Sequence, residues 1–323
     1  MLTLEDILAA RDRLRAVASV TPMIDVSAAA GRPLRLKCEN MQPGGAFKIR
    51  GAYNMVAQLT AEQQQQGVIT YSSGNHGQAM ALAARTLGIP AVVVMPTTAP
   101  AIKAEGARAL GAEVIFAGTT SLERRVRAEE EAAGRGLTMV PPFDHEWIIA
   151  GQATLGLEIL DQCPGAAAVV VPVGGGGLAA GVALAVKLRN PGIRVIGVEP
   201  AGAACMKASL DAGHPVTLPG TSSVADGLMA VRPGELTFEY VRRFVDTVVT
   251  VDEQSILEAV RWTFTRAKIV AEPSGATSLA AVLAEGMILP PPGSGPVVAI
   301  ISGGNVAPEI LGELLTTSAR VRI

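Results

Sequence analysis

Short β-branched runs alternate with longer stretches of helical period along the whole chain. The runs at 67–71, 89–95, 113–116, 167–173, 194–198, 247–251 and 297–301 have strand length, and Ala, Leu, Arg and Glu recur at helical spacing between them. Strands that are apolar at nearly every position are buried on both faces. The pattern therefore predicts βαβ units and an α/β fold of open, twisted, mainly parallel sheets flanked by helices. Thr3 and Asp6 fit a capping box for a first helix, 62–66 reads as a helix end, 78–86 as a helix, and 121–136 as a solvated helix face. The segment 290–295 reads as a surface connection. No fixed-period repeat and no compositional domain boundary is visible. The longest apolar runs, such as 166–173, end in Pro or Gly, well short of the ~18 residues a membrane span needs.

Three of these strands run directly into distinctive loops: Ser72-Ser73-Gly74-Asn75-His76-Gly77, then Gly174-Gly175-Gly176-Gly177, then Ser302-Gly303-Gly304-Asn305. Ligands of open α/β sheets bind just beyond the carboxyl ends of the strands, so the three loops outline a cleft. A fourth Gly-rich segment, Gly44-Gly45-Ala46-Phe47-Lys48-Ile49-Arg50-Gly51, sets one lysine among small residues at the start of a helix. Lys48 is the candidate covalent anchor. A Schiff-base lysine must lose its proton near neutral pH, through desolvation or through a neighbouring cation such as Arg50.

Composition narrows the partner to a small molecule. A net charge of -2 leaves no basic footprint for nucleic acid, and 3% aromatic residues leave little for base stacking. Three distant cysteines, Cys38, Cys163 and Cys205, suit neither a disulfide framework nor a metal site, and the cytoplasm is the expected compartment. The 323 residues, 49% of them hydrophobic, suffice for one large domain or two lobes.

The four glycines between a strand and a helix form an anion cradle, because side-chain-free N–H groups and a helix N-terminus converge there. A dinucleotide reading also fits this segment: Gly175-x-Gly177-x-x-Ala180 follows a strand, and Glu199 ends the next one. That reading leaves Lys48, Asn75 and Ser302 without a task. The loop 72–76 can receive a carboxylate at a helix N-terminus, the Asn75 amide can bond a ring hydroxyl, and Ser302 can offer a hydroxyl to a ring nitrogen. His76 reads as a capping or packing residue rather than as a base.

Taken jointly, Phe47-Lys48-Ile49-Arg50-Gly51-Ala52, the loop 72–78, Ala150-Gly151-Gln152-Ala153-Thr154, the glycines 174–177 and the loop 302–305 resemble fold type II pyridoxal-phosphate enzymes, in the branch of threonine/serine dehydratases and serine racemases. The resemblance implies a two-lobed, tryptophan synthase beta-like fold, with residues 56–144 as the small domain and 1–55 plus 145–323 as the large one. It implies that Lys48 carries pyridoxal 5'-phosphate as a Schiff base and that Phe47 packs on the ring. Asn75 bonds the ring hydroxyl, Gly174, Gly175, Gly176, Gly177 and Leu178 hold the phosphate, and Ser302 contacts the ring nitrogen. Gly227 and Glu272 are cofactor-side supports. Ser72, Ser73, Gly74, Asn75, His76 and Gln152 bind the substrate, and Lys48 with Ser73 does the proton chemistry. The implied reaction is β-elimination from L-threonine, L-serine or a related 3-hydroxy amino acid, giving a 2-keto acid and ammonia, in a homodimer or homotetramer. The alternatives are an amino acid racemase and a 3-hydroxyaspartate dehydratase within the family, and a nicotinamide dehydrogenase or a non-catalytic phosphate-ligand binder outside it.

The sequence departs from the family pattern at several places. Ala46 stands where Ser is usual before Phe-Lys. Ser73 is the residue type of serine racemases, which keeps racemisation open. Glu199 occupies one position of a divalent-cation site, but Cys205 takes the place of the second acid, and Ala203 is the other residue considered; no metal is expected. Phe143-Asp144-His145-Glu146-Trp147 replaces the usual Phe-Asp-Asp-Pro and reads as surface variation more than as a reshaped pocket. Only 306–323 follow the last motif, so an appended regulatory domain is not expected.

Overall fold

The computed structural model describes every residue except Ser73, Pro100, 285–288, Pro292 and 317–323. The described residues form ten strands: β1 (Met23–Asp25), β2 (Leu34–Cys38), β3 (Val68–Tyr71), β4 (Ala91–Met95), β5 (Glu113–Phe116), β6 (Thr138–Met139), β7 (Ala168–Pro172), β8 (Arg194–Pro200), β9 (Thr247–Val251) and β10 (Val297–Ile301). They make a six-stranded sheet in the order β1-β2-β10-β7-β8-β9 and a four-stranded sheet in the order β5-β4-β3-β6. Every pairing is parallel except that of β1 with β2.

All seven expected strands are present, three of them with the expected bounds, while β1, β2 and β6 were not anticipated. β1 and β6 are three and two residues long, too short to show a period. β2 alternates Leu34, Arg35, Leu36, Lys37, and its Lys37 is fully buried, so polarity there does not mark the solvent side. The segment 62–66 belongs to a separate short helix, Ala61–Gln66, with its own capping box between Thr60 and Gln63. The solvated helix is Ser121–Arg135, where only Ala128 is buried among the described side chains, and Gly136 closes it at φ 68°. Of the surface connection 290–295, Pro292 lies outside the described residues. No helix among the described residues is long and apolar enough to cross a membrane.

The strand period sorts the core. On β7, Val169 and Val171 enter one hydrophobic cluster, while Ala168 and Val170 enter the cluster on the opposite face. The four-stranded sheet repeats this, with Val68 and Val93 on one side and Ile69, Val92 and Val94 on the other. Both sheets are therefore covered by helices on both faces, which explains the unbroken apolar runs. The helix Lys48–Val56 packs against both Asn75–Leu87, which follows β3, and Glu146–Gln162. It stands where the two sheet assemblies meet.

Beneath that helix lies a buried charge cluster. Arg50 is held by two carboxylates: its Nε and Nη2 donate to Glu39 at 2.7 and 2.9 Å, and its Nη1 and Nη2 donate to Glu158 at 2.7 and 2.9 Å. Lys37 Nζ donates to Glu158 at 2.8 Å and to Thr21 O at 2.8 Å. Two cations thus meet two anions. Burial alone would raise the Glu39 carboxyl, but the Arg50 guanidinium and the hydrogen bonds from Arg50 and Thr21 outweigh it and hold Glu39 below the usual carboxylate range. Because its folded value is depressed, its contribution to stability is complete at neutral pH and disappears as acid protonates it below that range. Replacing Glu39 by Ala leaves a buried guanidinium half-paired and should cost about 3–5 kcal/mol at neutral pH. Urea unfolding checks this, with the gap between wild type and variant closing on acidification; a variant as stable as wild type at neutral pH would contradict the clamp.

Candidate functional site

The Lys48 segment is stitched to the Ser302 loop by its backbone. Phe47 N donates to Ser302 O at 3.0 Å, Ala46 bridges Gly303, and Gly304 N donates to Gly45 O at 2.9 Å. Gly44 and Gly45 turn the chain into this pairing at φ 81° and 73°, a region that disfavours residues with a Cβ. Ala46 lies in the bridge and is 2% exposed, so the missing hydroxyl leaves no gap toward solvent. Lys48 is the first residue of its helix, and no side chain caps that terminus.

Lys48 Nζ donates to Pro142 O at 2.7 Å and lies 5.2 Å from the Phe47 ring centroid. Burial pushes its amine down to about 8. Arg50, considered above as a cation acting on Lys48, has no part in this shift, because Glu39 and Glu158 neutralise it. Desolvation alone prepares the amine.

Asn75 begins the helix Asn75–Leu87, and its side chain is held from two sides. Its Nδ2 donates to Glu272 Oε1 at 2.6 Å, and its Oδ1 accepts from Asn305 Nδ2 at 3.0 Å. His76 is 3% exposed and turns inward, its Nε2 bonded to Val140 O at 3.0 Å. A carbonyl only accepts, so Nε2 carries the proton. Burial first, and the nearby Lys48 charge second, push the imidazole down to about 3 and keep it neutral. His76 is a packing residue, as its position at a helix start suggested. Ser72 Oγ accepts from Gly74 N at 3.2 Å, and a Cβ at Gly77 would stand 2.6 Å from Ser72 O. Ser73 lies outside the described residues.

The glycine loop follows β7 and opens the helix Gly177–Arg189, with Gly176 at φ 98°. Added Cβ atoms would collide: at Gly175 with the Phe143 ring at 2.3 Å, at Gly176 with Met206 at 2.7 Å, at Gly177 with Phe143 Cβ at 2.9 Å. The Gly175 carbonyl accepts from Thr237 Oγ1 at 2.6 Å. Among the described residues, the N–H groups of Gly174, Gly175, Gly176, Gly177 and Leu178 meet no acceptor. Carbonyl engaged and amides free is the polarity of an anion site.

Ser302 is 4% exposed; its hydroxyl has no partner among the described residues, while its N–H donates to Gly275 O. Gly227 lies beside the glycine loop, its N–H donating to Ser274 Oγ at 2.9 Å. Glu272 precedes the helix Pro273–Leu283, and burial first, then the Asp226 charge, push its carboxyl up to about 8. The amide of Gln152 lies against Gly51, where a Cβ would stand 2.3 Å from its Nε2, and its buried Oε1 has no partner among the described residues. Gln152 thus packs against the Lys48 helix at Gly51.

Glu199 is fully buried and accepts from Met206 N and Lys207 N at 2.8 Å each, capping the helix Cys205–Ala212; burial raises its carboxyl to about 7. The dinucleotide reading gave this acid to a ribose, but its oxygens face a helix terminus. Ala203 lies buried in a short turn, and burial pushes the Cys205 thiol up to about 12. Among the described residues no cluster of three metal-ligating side chains occurs.

The connection 140–144 does more than surface variation requires. Val140 O receives His76, Pro142 O receives Lys48, and Phe143 fills the space left by two loop glycines. Asp144 caps the helix Glu235–Phe244, accepting from Glu235, Leu236 and Thr237 N at 3.0–3.1 Å. His145 caps its own helix, accepting from Trp147 N at 3.1 Å, and its ring meets the Trp147 ring edge-on. Carbonyl acceptors carry no residue signature, so Val140 and Pro142 had no signal in the sequence. Asn305 did, within the 302–305 motif.

These groups fit pyridoxal phosphate: a buried amine able to be neutral, a nest of free amides for the phosphate, and an unpartnered hydroxyl at Ser302. Comparison with known proteins agrees. The profile of the pyridoxal-phosphate dependent enzymes matches residues 15–303. The chain is 42% identical over 322 residues to the L-threonine ammonia-lyase of Thermotoga maritima, covering 98% of this chain and 78% of that protein. It is 46% identical over 266 residues to the L-threonine dehydratase biosynthetic IlvA of Escherichia coli, covering 81% of this chain and about half (52%) of that longer protein. The structure of maize serine racemase superposes with a TM-score of 0.92 at 39% identity, covering 96% of this chain and 95% of that one. Matched by that profile over residues 15–303 and by these relatives over most of its length, the chain belongs to the pyridoxal-phosphate dependent enzyme family.

Proposed function

We propose that the protein is a pyridoxal-phosphate-dependent ammonia-lyase that converts L-threonine, L-serine or a related 3-hydroxy amino acid to a 2-keto acid and ammonia. The observation that carries this reading is the Lys48 amine, lowered to about 8 by burial and bonded to nothing more than a carbonyl, at the junction of the strand-end loops. Similarity to ammonia-lyases over most of the chain supports the reaction class. Racemisation is the second reading, supported by the resemblance to serine racemases and by Ser73. The four-stranded sheet and its helices, 56–144, form the small domain, and 1–55 with 145–323 the large one. The working unit is a cytoplasmic homodimer or homotetramer.

When bound, pyridoxal phosphate supplies an electron sink for the electrons of the broken Cα–H bond. The protein supplies position and protons. Lys48 holds the cofactor covalently at rest, and as a free neutral amine it takes the substrate's α proton. Pro142 O orients that amine without stabilising its charge as a carboxylate would. The amides of 174–178 and the helix dipole behind them would hold the phosphate, the Ser302 hydroxyl would serve the ring nitrogen, and Phe47 would pack on the ring. Gly227 and Glu272 support this side, with Glu272 acting through Asn75. The substrate carboxylate is received by Ser72, Ser73 and the backbone of Gly74, Asn75 and His76 at a helix N-terminus. Gln152, its Nε2 against Gly51 and its buried Oε1 without a partner among the described residues, is the remaining polar group assigned to the substrate side.

Incubation with L-threonine, L-serine and 3-hydroxyaspartate should release keto acid from at least one of them; D-product without keto acid would replace the lyase reading by the racemase. Lys48→Ala should lower turnover by about 10²–10⁴-fold or more while leaving the fold intact by circular dichroism. Wild-type turnover in that variant would end the assignment. Only the neutral amine can capture the cofactor, so covalent uptake by cofactor-free protein should accelerate about tenfold per pH unit below about pH 8 and level off above it. A stopped-flow rate that keeps rising to the ordinary lysine range would contradict the lowered value.

A further inference from the structure

Asn305 closes the site from its exposed rim and commits both hydrogens of its amide to it. Its Nδ2 donates to Asn75 Oδ1 at 3.0 Å and to Gly44 O at 2.8 Å. An amide nitrogen carries two hydrogens, so this donor is fully engaged. The left-handed turn at Gly44 and Gly45 permits the approach, since a Cβ at Gly45 would stand 2.1 Å from Asn305 Oδ1. Asn75 has its carbonyl oxygen occupied by Asn305 and one N–H occupied by Glu272 Oε1 at 2.6 Å. One N–H of Asn75 remains.

Glu272 cannot set this orientation unaided. Burial and the neighbouring Asp226 push its carboxyl up to about 8, and a protonated carboxyl both donates and accepts, so it suits either end of an amide. Asn305 Nδ2 only donates. It can meet only the carbonyl end of Asn75.

We propose that Asn305 is a positioning residue, which fixes the direction of the Asn75 amide so that Asn75 meets the ring oxygen of the bound cofactor as a hydrogen-bond donor. This rests on the cofactor-site reading above. A donor at that oxygen favours its anion, and an acceptor would favour its protonated form. The two forms of the Schiff-base-bound cofactor differ in colour: the anion absorbs in the visible and the protonated form in the near ultraviolet.

The test is an absorption titration of three holoenzymes, wild type, Asn305→Asp and Asn305→Ala. Asn305 is exposed, so neither substitution removes core packing. A carboxylate at 305 only accepts, which turns the Asn75 amide round and presents its oxygen to the ring. The Asp variant should lose visible absorbance at neutral pH and recover it with a midpoint raised by about one pH unit or more, with the Ala variant between it and wild type. Midpoints equal to wild type in both variants would overturn the proposal. Should the Asp variant purify without cofactor, the Ala variant decides by the same criterion, a raised midpoint supporting the role and an unchanged one refuting it. A wild-type protein with no visible band after addition of pyridoxal phosphate would overturn the underlying site reading, and the proposal with it.

Discussion

An ammonium buried against a lone carbonyl is the constraint around which the site is arranged. Lys48 donates to Pro142 O, and burial lowers it to about 8 with no carboxylate to restore its charge. Acids do reach this helix: Glu39 and Glu158 meet Arg50, two residues after Lys48. Both are committed to Arg50 and Lys37, whose charges they cancel. The cluster anchors the helix that carries Lys48 and keeps counter-charges away from its amine. Fold stability and amine reactivity thus depend on the same partition of charges.

Backbone approach does the remaining construction. The glycines of 174–177 leave room for Phe143, Met206 and Leu228 to press against the loop, and the amides that emerge have no acceptor among the described residues. Phe143 belongs to the connection that also supplies the carbonyl for Lys48. Phosphate site and amine are therefore linked through five residues, 140–144, whose positions are fixed by His76 at one end and by the Asp144 helix cap at the other. A change at this connection acts on both.

Much of this was legible in the sequence, for identifiable reasons. The sheets were visible because strands buried on both faces read as continuous Val and Ile, as in β7 and β10. The loops were visible because glycine runs at strand ends have few other uses. Legibility failed where polarity and position part company. Lys37 sits on a strand yet is fully buried, because Glu158 meets it from a distant helix. Arg50 looked like a cation beside the lysine and is one of two cations in a charge-balanced cluster. Asp144 looked like surface variation and caps a helix more than ninety residues later in the chain, a pairing no local pattern announces.

Borohydride reduction of the holoenzyme followed by peptide mass analysis tests whether Lys48 is the covalent anchor. The reduced cofactor should be found on the peptide containing Lys48 and on no other. Recovery of the label on a different lysine, or a protein that retains the cofactor but yields no labelled peptide, would contradict it.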